Sequence, residues 1–97
     1  MDLKPHETDL VGGWIFDGKH VSADPVQSRI YYLITHSLEQ VAVSPESGGW
    51  ETLYRDPSDG RFWERTYPQS ELHGGGPMRL INISAADAVK KYHIDTN

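Results

Sequence analysis

HGGG at 73–76 is the first group of residues that could do chemistry. In lipases and esterases such a run presents backbone N–H groups to a developing oxyanion. That reaction also needs a nucleophile on a G-x-S-x-G elbow, and the chain has none. Without it, the glycines read as a connection that needs tight backbone paths.

Glu51, Asp56, Asp59 and Glu64 form the second group, a set of carboxylates that two paired strands would draw together. A calcium loop needs D-x-[DN]-x-[DN]-G and a later Glu, and DPSDGRF lacks both the third ligand and the register. Arg55, Arg61 and Arg65 lie among these acids, so cross-strand ion pairs and Asx turns are the simpler reading. The five histidines, at 6, 20, 36, 73 and 93, show neither H-x-x-x-H nor H-E-x-x-H spacing. With no cysteine there is no thiol nucleophile, thiolate site or disulfide. The expectation is no catalytic set, no metal and no cofactor.

Aromatics are the third group. Trp50, Tyr54, Phe62, Trp63 and Tyr67 supply half of the chain's aromatic residues within one short stretch. Alternation along two strands would place them on both faces, more than one small core needs. Single-stranded nucleic acid can stack on such rings. The net charge of −5 opposes a phosphate backbone, and the nine Lys and Arg form no basic track. Trp, Tyr and Arg are also the residues enriched at protein-binding hot spots.

These side chains need elements to hold them. Asp17-Gly18 between apolar runs predicts a tight hairpin joining Leu10–Phe16 to Lys19–Val21. Asp24 can cap a helix with Pro25 at its first position and Gln27 closing a capping box. Val26, Ile30, Leu33, Ile34 and Leu38 then repeat at helical spacing, with the helix ending near Ser37. Residues 38–44 read as a strand, as do 50–55 and 61–67 around the DPSDG turn, and 78–83. Residues 68–77 form an irregular connection. Ser84 and Asp87 open a last helix carrying Ala85, Val89 and Tyr92.

The order ββ-α-ββββ-α gives an α+β fold: an antiparallel sheet of four to six strands with two helices packed on one face. A chain of 97 residues holds one domain, here 10–97 after a polar segment, 1–9, expected to be mobile or loosely docked. No apolar run is long enough for a membrane helix and no secretory signal is visible, so a soluble, cytoplasmic protein is expected.

One resemblance runs along the chain from about Leu10 to Tyr92. LVGGW at 10–14, DG at 17–18, GWETLYRDPSDGRFWE at 49–64, TYPQSE at 66–71, HGGGP at 73–77 and KY at 91–92 resemble the immunity protein 27 family of bacterial polymorphic toxin systems. The resemblance implies a small intracellular protein that binds and neutralises a cognate toxin domain without catalysis. It implies no catalytic or cofactor residues. An acidic chain suits a basic toxin, and no nucleic acid or membrane partner is expected. The free protein would be a monomer or weak dimer. The toxin contact is expected on exposed acids and aromatics of the central hairpin and the following loop: Tyr54, Asp56, Asp59, Glu64 and Glu71. The alternative is a small enzyme or ligand-binding domain using the His73–Gly76 loop and nearby acids.

Overall fold

The computed structural model describes residues 3–18, 20–44, 50–68 and 77–94. Among these described residues, seven strands and two α-helices follow in the order β1 (Asp9–Val11), β2 (Trp14–Asp17), β3 (His20–Ala23), α1 (Pro25–Tyr32), β4 (Glu39–Val43), β5 (Thr52–Arg55), β6 (Phe62–Thr66), β7 (Arg79–Ile83) and α2 (Ala85–Tyr92). A five-stranded antiparallel sheet runs β1-β7-β6-β5-β4, and β2 and β3 pair as a separate ribbon. The α+β class and the strand count agree with expectation.

The run LVGGW does not make one strand. Leu10 pairs with Leu80 in the main sheet, whereas Trp14 pairs with Ala23 in the ribbon. Gly12 lies at the break because the backbone there passes hard against its neighbours. A Cβ at this position would sit 2.1 Å from Gln27 Oε1 and 2.9 Å from the Met78 carbonyl. The ribbon turn is also shifted: Asp17 is the last residue of β2 and pairs with His20, so it is not a central turn residue.

Helix α1 begins as its sequence dictates. Asp24 Oδ1 accepts from the Gln27 N–H at 2.7 Å, with Pro25 in the first turn. The capping box, however, stays open. Gln27 sends Oε1 to the Met78 N–H at 2.9 Å, and the Asp24 N–H donates to the Gly13 carbonyl at 3.0 Å. A buried amide just before β7 has captured the side chain that a local motif would use. Past Tyr32 the helix widens into a π turn, Leu33–Ser37, where the Leu38 N–H donates to the Leu33 carbonyl. There the Thr35 hydroxyl donates to the Tyr31 carbonyl at 2.8 Å, a back-bond of the kind that bends helices. The helical path ends at Ser37, as expected.

The helices were expected on one face, but they cover opposite faces. Neighbouring residues on a strand point to opposite sides. Tyr54, Trp63 and Leu80 pack with Ile30 and Leu33 of the α1 layer. Leu53, Phe62 and Ile83 pack with Ala88 and Tyr92 of α2. Each face of β5 and β6 has its own helix to meet: Tyr54, Trp63 and Tyr67 join the α1 core and Phe62 the α2 core, while Trp50 stays exposed. Ser84 caps α2 as expected, accepting from the Asp87 N–H at 3.1 Å. The buried stripe of α2 is nevertheless Ala88 and Tyr92, while Ala85 and Val89 face outward. The small Ala88 faces the sheet beside Leu53.

Residues 3–9 of the N-terminal segment pack against the fold. Leu3 enters the α1 core, and Glu7 takes both Arg29 guanidinium nitrogens, at 2.5 and 2.6 Å.

Candidate functional site

The central hairpin is built around its turn. Asp56 Oδ1 accepts from the Ser58 N–H at 2.9 Å and the Ser58 hydroxyl at 2.7 Å, an Asx-type closure. Gly60 adopts φ +79°, which glycine takes without a Cβ clash, and its N–H donates to the Asp56 carbonyl at 2.7 Å. Asp59 accepts from the Arg61 N–H at 3.0 Å and from Arg61 Nε at 2.7 Å. The Arg61 N–H, followed by the Arg61 side chain, holds the Asp59 carboxyl below its usual range.

Arg61 also reaches across the fold. It donates to the carbonyls of Glu7 at 2.7 Å and Lys4 at 3.0 Å, and it lies over the Trp63 ring at 4.9 Å. One guanidinium thus ties the turn to the N-terminal segment. On the same face Arg65 donates to the Thr52 hydroxyl at 3.0 Å and lies over Tyr67 at 5.2 Å. Trp50 meets Tyr67 edge-on at 5.4 Å. Burial raises the Tyr54 phenol, with the Arg65 charge partly opposing it.

Glu64 points to the other face. It is 8% exposed, accepts from the Tyr92 hydroxyl at 2.8 Å, and pairs with Lys91 Nζ at 2.6 Å. Lys91 also holds Glu51 at 3.0 Å. Burial opposes the Lys91 charge, but hydrogen bonds to Glu64 and Glu51 outweigh it and raise its pKa. Burial, reinforced by Glu64, pushes the Tyr92 phenol far up, so it remains a donor. A shallow cavity of about 440 Å³ beside this cluster is lined by Glu64, Ile83, Asp87, Lys90 and Lys91.

The residues expected to form one exposed surface are therefore divided. Tyr54, Asp56 and Glu64 are buried, and Tyr54 and Glu64 face opposite sides of the sheet. Asp59 is partly open at the turn. Glu71 and the glycine run at 73–76 lie outside the described residues. The structure does not gather Tyr54, Asp56, Asp59 and Glu64 into a single patch. Among the described residues, no three His, Asp or Glu side chains converge as a metal site. No helix there is long and apolar enough to cross a membrane.

Exposed apolar surface gathers elsewhere. Register in the ribbon pairs Trp14 with Ala23 and Phe16 with Val21, so these four side chains share one face. Phe16 is 75% exposed and Val21 59% exposed. The face continues into a groove of about 260 Å³ lined by Trp14, Ala23, Gln27, Ser28, Tyr31 and Met78. Sequence alone does not mark this face, because Trp14, Ile15 and Phe16 form a continuous apolar run in which neither side stands out.

The family model described as Immunity protein 27 matches residues 16–84. No curated protein and no solved structure matches the chain.

Proposed function

The chain belongs to the immunity protein 27 family, and from that membership we propose that it binds and neutralises a cognate toxin domain in the cell that makes both. The action is stoichiometric association, not catalysis. The family match is the observation that carries this reading. Two physical features support it. The net charge of −5 favours encounter with a basic toxin domain, and an exposed apolar face is available for contact. In this reading Tyr54, Asp56 and Glu64 act by holding the shape of the hairpin. Asp59, at the turn, remains a candidate for direct contact.

The test is co-expression with the toxin encoded beside the chain, followed by size-exclusion chromatography and calorimetry of the purified pair. Growth should be rescued, and a one-to-one complex should form at micromolar concentration or below. A harmless neighbouring gene product, or no complex at that concentration, would overturn the proposal.

A further inference from the structure

Trp14, Phe16 and Val21 of the ribbon and Tyr31 of α1 present an apolar surface that none of the described elements covers. Their exposed fractions leave on the order of 500 Å² of apolar area open, high in the range for a monomer's largest patch. Apolar area held in water is unfavourable, and three of these four side chains are aromatic. The groove at the root of the ribbon is smaller than the roughly 300–1,000 Å³ typical of small-molecule sites. It suits a single protruding side chain, with Met78 and the buried Gln27 as part of its lining.

We propose that this ribbon-and-groove surface is where the toxin domain docks, with an apolar side chain of the toxin seated between Trp14 and Tyr31. The inference rests on the toxin-binding reading and adds the location and chemistry of the contact.

Area and charge distinguish this occupant from a second copy of the chain. A self-paired ribbon face would bury about 1,000 Å² in total, short of the roughly 1,200–2,000 Å² of stable specific interfaces. Two copies would also bring together chains that each carry −5. A different protein can add a polar rim to the apolar centre and reach the roughly 800 Å² per partner of a standard interface. A basic partner gains from the same charge that repels a second copy.

The experiment uses the full chain and a catalytically inactive form of the toxin domain encoded beside it. Three variants are titrated against that domain by calorimetry: Phe16→Ser with Val21→Ser, Tyr31→Ala, and Val43→Ser as a control on the exposed side of β4. The ribbon double variant and Tyr31→Ala should each bind at least about 30-fold more weakly, as hot-spot aromatics do. The control should bind as the unaltered chain does. Because Phe16, Val21 and Tyr31 are exposed, the thermal midpoints should match; Tyr31→Ala on the helix still reports if the ribbon variant unfolds. Unchanged affinity in both variants, while the unaltered chain binds, overturns the location and leaves the toxin-binding reading intact. Failure of the unaltered chain to bind overturns that reading itself. A stable dimer of the free chain that the double variant abolishes would assign the face to a second copy.

Discussion

Replacement of Glu64 separates a residue that holds the fold from one that meets a partner. Its carboxylate is buried against α2, where it accepts from the Tyr92 hydroxyl and pairs with Lys91. Truncation to Ala leaves the buried Tyr92 hydroxyl without its acceptor, at a cost of about 1–3 kcal/mol. Lys91 is partly exposed and retains Glu51, so its loss adds less than about 1 kcal/mol. In a domain of this size each kcal/mol moves the midpoint by roughly 4–8 °C, so a fall of roughly 4–30 °C is expected. Glu64→Gln keeps an oxygen for Tyr92 and should lose clearly less. The assay is thermal unfolding followed by circular dichroism, with urea titrations to confirm that the slope is unchanged. A double-mutant cycle with Tyr92→Phe tests the assigned contact: removing the hydroxyl first should recover part of the Glu64→Ala loss. A Glu64→Ala midpoint within about 2 °C of the unaltered chain, well under 1 kcal/mol, would refute the reasoning.

Two further outcomes follow from the packing and the charges. Gly12→Ala places a Cβ against Gln27 Oε1 and the Met78 carbonyl and should cost about 1–3 kcal/mol in urea unfolding, as overpacking does. Arg29, through its hydrogen bonds to the carboxylate, lowers the Glu7 pKa from 4.5 to about 2. A depressed carboxylate pKa adds stability that is fully present above pH 4.5 and is lost as the pH falls through about 2. Urea midpoints measured between those pH values should therefore fall less steeply for Glu7→Gln than for the unaltered chain. Asp9, held low by Arg79, and Asp59, held low by Arg61, keep part of the slope in the same direction. Identical slopes would show that the Glu7–Arg29 pair does not anchor the N-terminal segment.

What was legible in the sequence was local. Asp24-Pro25 and Ser84 with Asp87 announce helix starts because caps satisfy backbone N–H groups within the next three residues. DPSDG announces its turn because Asp side chains bond their own backbone two residues on and Gly60 accepts positive φ. Alternating segments located β4, β5, β6 and β7, and the α+β class followed from their order. Of the motifs that carry the family resemblance, those from DG at 17–18 to HGGGP at 73–77 lie within the matched residues 16–84.

Only the tertiary structure decided what depends on residues far apart in the chain. Gln27 leaves its local capping box for Met78, 51 positions away, because a buried backbone N–H needs an acceptor. Gly12 breaks an apolar run into strands of two different sheets because other backbone passes too close for a side chain. Alternation shows that a strand has two faces, but it cannot say which helix covers each one, and so Glu64 and Tyr54 could be mistaken for neighbours on an open surface. The composition of the Trp14–Val21 ribbon was plain from the sequence. That no described element of the domain covers it is a property of the packing.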